Sequence, residues 1–268
     1  MQTRLEAPAQ EPLSLRKDAV TVEGAAREYR TRRGAVRALD GVDLRVRERE
    51  VVAVVGPSGC GKSTLLELIA GLQEPDTGSV SAGGAGIARE RLEACAYMPQ
   101  RDLLLPWRDG LANAALALEC QGVPRREARR RAAPLFERFG LAEFERSYPA
   151  ELSGGMRQRV AFLRTLLAGR PILLLDEPFA ALDSITRGSM QEWLSDALAA
   201  EPRTALLVTH DVEEALFLAD RVAVMSARPG HVVEQIEVRF ERPRERKETI
   251  TDPGFARLRQ RALEALER

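Results

Sequence analysis

Residues 51–55 (VVAVV) form an unbroken apolar run that ends at Gly56. A strand buried on both faces of a parallel sheet reads this way. The runs at 172–175 (ILLL) and 205–208 (ALLV) have the same form. Residues 20–23 (VTVE) and 42–46 (VDLRV) instead alternate, as half-buried strands do. Helix-period patterns occupy 62–70, 111–120, 125–139, a segment opening at Ser153, and 190–199. Residues 71–86 hold Gly71, Pro75, Gly78, Gly83, Gly84 and Gly86, which predicts turns between short strands. Residues 222–225 and 231–238 read as closing strands. Asp252-Pro253 reads as a helix start, an N-cap followed by Pro at the first helical position. Phe255, Leu258, Ala262, Leu263 and Leu266 then supply an apolar stripe.

The order is strands, a helical stretch, then strands again, with no internal repeat. That order predicts an α/β core with a helical subdomain inserted into it. The expected organisation is a flexible lead-in over 1–18, a main domain over 19–240 with its helical insert at about 102–164, and a tail with a helix over 241–268.

Composition narrows the functional classes. The chain has 268 residues, and its 40 basic residues balance its 40 acidic ones. A neutral chain argues against bulk electrostatic binding to nucleic acid. No stretch has the length and apolarity of a transmembrane helix, and the first residues lack the apolar segment of a signal peptide. Cys60, Cys95 and Cys120 show no metal spacing, and three cysteines suit a reducing compartment. With only His210 and His231, a histidine-rich metal site is excluded. The basic residues comprise 3 lysines and 37 arginines, so each lysine raises the question of why arginine was not used.

One lysine lies in the clearest motif. Gly56-Pro57-Ser58-Gly59-Cys60-Gly61-Lys62-Ser63 matches GxxxxGK[ST] between a buried strand and a helix. Glycines let the backbone wrap closely, so amides can face phosphate oxygens, and the helix adds its positive end. Lys62 is the group for the β/γ-phosphates and Ser63 the hydroxyl for Mg²⁺; Thr64 adjoins them. Cys60 reads as a small side chain in a tight loop rather than a nucleophile. Further on, the strand at 172–175 emits Asp176 and Glu177 at its C-terminal end, where ligands of open parallel sheets collect. Asp176 suits Mg²⁺, directly or through water. Glu177 suits a role in orienting or deprotonating an attacking water.

Between these motifs lies Leu152-Ser153-Gly154-Gly155-Met156, followed by Arg157-Gln158-Arg159. A hydroxyl and exposed amides at a helix start can face a γ-phosphate. At this point the chain resembles the ATP-binding subunit of an ABC transporter. The resemblance implies a P-loop NTPase core with an antiparallel β subdomain and an inserted α-helical subdomain, binding ATP and Mg²⁺. It assigns Tyr29 to stacking on adenine, with a strand aromatic packed in the core as the plainer alternative. It makes Gln100, in Tyr97-Met98-Pro99-Gln100, the loop glutamine that senses Mg²⁺ and the membrane partner. It places Ala181-Leu182-Asp183 in the loop that crosses between subunits, and makes His210 the switch histidine at the γ-phosphate. Two copies would face each other head to tail, each ATP lying between one phosphate loop and the other copy's Ser153-Gly154-Gly155. Each motif occurs once, so two sites need two chains, and a homodimer is expected. The remaining implied partners are a membrane permease and, indirectly, an extracytoplasmic substrate-binding protein, but no nucleic acid. The implied place is peripheral, on the cytoplasmic face of the inner membrane.

Finer features resemble the importer branch for nitrate, sulfonate and taurine. They are Leu104-Leu105-Pro106-Trp107, the segment Phe179 to Arg187, and Ser226-Ala227-Arg228-Pro229-Gly230. Ala180 departs from the Gly common in that branch, while the segment 161–167 (AFLRTLL) looks closer to importers of thiamine pyrimidine precursors. The Leu-Pro-Trp segment is either a docking site for a permease helix or an ordinary packed loop. The run 125–131 (RREARRR) reads as a solvated helix face or, less simply, a contact for lipid or nucleic acid. A non-transport ABC ATPase acting on a nucleic-acid or protein complex is the competing function.

Overall fold

The computed structural model describes residues 15–32 and 34–268. Most of the expected lead-in therefore lies outside the described residues. The strands are β1 (Asp18–Thr31), β2 (Gly34–Arg47), β3 (Val51–Val55), β4 (Thr77–Ala82), β5 (Cys95–Met98), β6 (Ile172–Asp176), β7 (Thr204–Thr209), β8 (Arg221–Met225) and β9 (Val232–Glu237). The helices are α1 (Lys62–Ala70), α2 (Ala88–Ala94), α3 (Gly110–Ala114), α4 (Leu116–Cys120), α5 (Arg125–Arg138), α6 (Gly154–Leu167), α7 (Ser184–Ala200), α8 (Val212–Leu218), α9 (Arg246–Thr251) and α10 (Pro253–Leu266). Among the described residues, no helix is long and apolar enough to cross a membrane.

Six strands form the central sheet in the order β5-β6-β7-β3-β8-β9, all parallel except β9. The apolar runs are buried on both faces, as their unbroken hydrophobicity requires. In β3, Val51, Ala53 and Val55 face one core, and Val52 and Val54 face the other. The first core is roofed by the helical insert with α7, α8 and α10. The second is closed by α1 and by a separate antiparallel sheet of order β2-β1-β4.

Register carries the functional consequence. Asp176 of β6 pairs with Val208 of β7, and Thr209 of β7 pairs with Val55 of β3. The next residue along each strand is Glu177, His210 or Gly56. Three loops therefore leave the same edge of the sheet side by side.

Several elements differ from the sequence expectation. The two alternating strands are much longer, because β1 and β2 pair along 14 residues each with bulges that keep their apolar positions inward. The single helix expected at 111–120 is two short ones meeting at Ala115. Beside this joint the fully buried Asn113 amide donates to the carbonyls of Leu105, Arg108 and Asp109. The stretch 71–86 contains β4, but α2, β5 and α9 were not anticipated. In α10 the stripe is shifted: Phe255, Ala262 and Ala265 are buried, while Leu263 is exposed. The arginine run on α5 is a solvated face whose charges meet local carboxylates. Arg130 and Arg131 pair with Glu127, and Arg129 with Asp109. Hydrogen bonds from Arg130 and Arg131 hold the Glu127 carboxyl well below its ordinary range.

Candidate active site

The phosphate loop joins β3 to α1 at the centre of the sheet. Gly59 and Gly61 have φ of +74° and +107°, a region open chiefly to glycine. A Cβ on Gly61 would lie 2.6 Å from Leu39 Cδ2 and 2.7 Å from the Ala38 carbonyl. The Lys62 ammonium is buried and donates to the carbonyls of Gly56 (2.8 Å) and Pro57 (3.0 Å). Its third direction faces Cys60 Sγ at 3.8 Å, a weak acceptor that phosphate oxygen can replace. Cys60 is itself buried.

Asp176 is almost wholly buried beside this loop. Burial raises its pKa; a hydrogen bond from Ser63 and the Lys62 charge oppose the rise, and the Glu177 and Glu67 charges add to it. Tyr97 is a further neighbour. Burial and then the charges of Asp176 and Glu67 push its phenol pKa upward, and it hydrogen-bonds to Asp176. A buried carboxylate next to a serine hydroxyl is the oxygen donor set that a hard divalent cation takes, so Ser63 and Asp176 fit Mg²⁺. Among the described residues, no larger cluster of His, Cys, Asp and Glu forms a metal cage.

Glu177 turns away from β6 with φ +48°, an uncommon value for a residue with a side chain. Its N–H donates to the Val208 carbonyl at 2.9 Å, and its own carbonyl accepts from Gln158 Nε2 at 3.3 Å. This anchored turn directs its carboxylate toward two other side chains. His210 Nδ1 lies 3.2 Å from Oε1, and Gln100 Nε2 donates to Oε2 at 3.4 Å. Gln100, Glu177 and His210 are 77 and 33 residues apart in sequence, yet they share one carboxylate.

The other expected site residues are placed as follows. Tyr29 is half-buried. Its hydroxyl donates to Gln73 Oε1 (3.1 Å) and lies 3.3 Å from Thr64 Oγ1, tying it to α1. The Arg27 guanidinium sits 5.3 Å from its ring centroid. Ser153 caps α6, accepting the Met156 N–H at 3.2 Å, and both Ser153 and Gly154 are exposed. A Cβ on Gly155 would come within 3.2 Å of Leu182 Cδ2 and 3.4 Å of the Ala181 carbonyl. The Ser-Gly-Gly turn and the Ala181-Leu182-Asp183 loop are thus packed together. Asp183 caps α7 through the N–H groups of Ile185 and Thr186.

Sequence reasoning missed the supports. Gly230 touches the phosphate loop, and a Cβ there would fall 2.0 Å from the Cys60 carbonyl. Its N–H and C=O bond to Ala38 and Asp40. A Gly after Pro in a polar loop signals a turn, and only the tertiary fold shows what the turn approaches. Gln158 stood in plain view beside the Ser-Gly-Gly motif, but nothing local tied it to Glu177.

A glycine loop between a central parallel strand and a helix, with a serine hydroxyl and a buried carboxylate beside it, defines a P-loop nucleotide-binding protein. The family model described as "ABC transporter" matches residues 39–180, and the chain belongs to this family of ATP-binding cassettes. It is 48% identical to a formylaminopyrimidine import ATP-binding protein of Halalkalibacterium halodurans, over 75% of this chain and 78% of that protein. It is 44% identical to a taurine import ATP-binding protein of Chromobacterium violaceum (84% and 88% covered). With a nitrate import ATP-binding protein of Synechococcus elongatus the identity is 41% (90% and 88% covered). A solved ATP-binding cassette, a dimer in a post-hydrolysis state bound to ADP and phosphate, superposes with a TM-score of 0.76 at 29% identity, covering 83% of this chain and all of that one.

Proposed function

We propose that this chain is the ATP-hydrolysing subunit of an importer, working as a dimer on a membrane permease that passes a small polar or anionic solute. The observation that carries the catalytic part is the convergence of Gln100 and His210 on the Glu177 carboxylate, beside Lys62, Ser63 and Asp176. The names of the relatives support the importer part, with cargoes that include taurine, nitrate and a formylaminopyrimidine.

In this reading the backbone N–H groups of residues 58–63 and the Lys62 ammonium bind the β- and γ-phosphates. Tyr29, tethered through Thr64 and Gln73, offers a ring face to the adenine. Ser63 and Asp176, with Gln100 at the edge, would hold Mg²⁺, which when bound would supply charge neutralisation at the phosphate oxygens. Glu177 accepts a hydrogen bond from the attacking water and takes its proton as the new P–O bond forms and the β–γ bridging bond breaks. His210 sits against Glu177 and reaches the γ-phosphate side. Ser153, Gly154 and Gly155 serve the site of the second copy, and Asp183 lies on the path between the two. Trp107, 72% exposed, and Leu103 lie on the surface, while Leu104 is buried. Arg164 grips the carbonyls of Asp102 and Leu103 from below, so the segment is a fixed platform suited to the permease. The chain would work from the cytoplasmic face, with a substrate-binding protein acting across the membrane.

Glu177→Gln tests the reading. ATP binding should persist, dimers should accumulate with ATP, and turnover should fall by about 100-fold or more. Turnover at the wild-type rate would remove Glu177 from the chemical step. Co-purification with a polytopic membrane protein tests the partner, and a chain that stays alone at native expression levels counts against it.

A further inference from the structure

The side chain that faces the proposed reacting phosphate, His210, is held by a chain of buried hydrogen bonds that begins far from the nucleotide. Thr209 ends β7 and Asp211 caps α8, so His210 sits on the turn between them. The Asp211 N–H donates to Thr209 Oγ1 at 3.0 Å, closing that turn. The Asp211 carboxylate in turn accepts the N–H groups of Glu213 and Glu214 at 2.9 and 3.1 Å. The Thr209 hydroxyl hydrogen-bonds to the Glu214 side chain. Glu214 Oε2 accepts from Gln191 Nε2 at 2.9 Å, and Gln191 Oε1 accepts from the Arg246 guanidinium at 2.6 Å. Thr209, Glu214 and Gln191 are at most 4% exposed.

The direction of each bond is dictated by the one before it. A guanidinium only donates, so it must face the amide oxygen of Gln191. That orientation turns the amide N–H toward Glu214. Glu214 accepts Gln191 at Oε2, and once ionised it also receives the Thr209 hydroxyl. The Thr209 oxygen is then left with lone pairs for the Asp211 N–H. Arg246 itself is seated over the Phe217 ring, 5.6 Å from its centroid, and against Gly188 of α7. The same segment grips the other end of α8. Arg244 donates to the carbonyls of Leu216, Phe217 and Ala219, and Arg242 to that of Leu218. These are the carbonyls that a helix C-terminus leaves without partners.

We infer that the C-terminal segment sets the position of His210, with Arg246, Gln191, Glu214 and Thr209 acting as positioning residues for ATP hydrolysis. None of the four touches the nucleotide site directly; each acts through the turn that carries His210. The inference rests on the reading of His210 as a contact of the γ-phosphate.

Arg246→Met in the full-length chain is the test, because Arg246 is half-buried and the variant keeps most of its apolar stem. We expect kcat for ATP to fall about 3- to 10-fold with KM unchanged, the melting temperature to drop only modestly as the Gln191 oxygen loses its donor, and the Asp211 amide to exchange faster. Thr209→Val should reproduce the loss and Thr209→Ser should restore activity. Combined with His210→Ala, Arg246→Met should add nothing, since both act through one side chain. Wild-type kcat in Arg246→Met, or a multiplicative loss in the double variant, would overturn the inference. Full activity in His210→Ala would instead overturn the role given to His210. Asp211 exchange in Arg246→Met would then still decide whether the hydrogen-bond chain sets the turn.

Discussion

Glu214 offers a quantitative check that needs no catalysis. Burial pushes its carboxyl from an ordinary 4.5 up to about 7. The hydrogen bonds from Thr209 and Gln191 pull the other way; the Asp211 charge adds to the rise and the Arg187 charge opposes it. The folded chain therefore holds this proton more tightly than the unfolded chain does. Its contribution to stability is complete below the unfolded value and is lost as pH rises through about 7. The gap between 4.5 and about 7, at about 1.4 kcal/mol per pH unit, sets a ceiling of about 3 kcal/mol. About 2 to 3 kcal/mol of this falls between pH 5 and 8. Glu214→Gln removes the titration. Urea unfolding of both proteins across that range reads the effect, because groups common to both cancel in the difference. The stability of the wild type minus that of the variant should fall by about 2 to 3 kcal/mol from pH 5 to 8. A difference that stays flat would mean that Glu214 is not a strained buried carboxylate, and that the hydrogen bonds around it solvate its charge fully.

Gly230→Ala places a methyl 2.0 Å from the Cys60 carbonyl, so the phosphate loop must shift. ATP affinity by titration calorimetry should drop by about tenfold or more, although the residue lies outside the motif. Arg244→Met leaves the carbonyls of Leu216, Phe217, Ala219 and Phe240 without their donor, and should cost about 3 kcal/mol in urea unfolding. Trp107→Ala removes an exposed ring and should change the stability of the isolated chain by less than about 0.5 kcal/mol. In cells, the same variant should lose the membrane subunit on purification.

The parts of the site legible in sequence share a local cause. The strand 51–55, the glycine loop and α1 are contiguous, so apolarity, turn chemistry and helix start appear in one line of text. The Asp176-Glu177 pair was legible for the same reason. What stayed hidden depends on register between distant strands. Nothing in the neighbourhood of Gln100 states that it will reach Glu177, because that meeting requires β5 beside β6 and β6 beside β7. Gln191 and Glu214 were invisible for another reason. A polar residue in a helical pattern reads as solvent-facing, and only packing reveals that these two are buried against each other. Leu263 shows the converse, an apolar residue that the stripe expected inside and the packing of Ala262 and Ala265 left exposed.

The uneven use of arginine and lysine has a structural explanation at both ends. Away from the nucleotide, buried and half-buried arginines of this fold face several acceptors. Arg244 satisfies four carbonyls at once, Arg91 bridges Val80, Gly86 and Glu74, and Arg221 forks onto both oxygens of the buried Glu50. A guanidinium matches such sets because its donors are fixed in one plane, and an ammonium in the same place would leave acceptors unpaired. The phosphate loop poses the opposite problem. The space around Lys62 is bounded by Gly56, Pro57 and Cys60 at 2.8 to 3.8 Å. There the cation must be compact, and its donors must swing from loop carbonyls to phosphate oxygens when the ligand arrives. Freely rotating N–H groups allow that exchange, whereas a rigid fork holding the same carbonyls would have to break its whole geometry to turn. Lys62 is therefore the one buried position described here where mobility of the donors, rather than their fixed direction, serves the function.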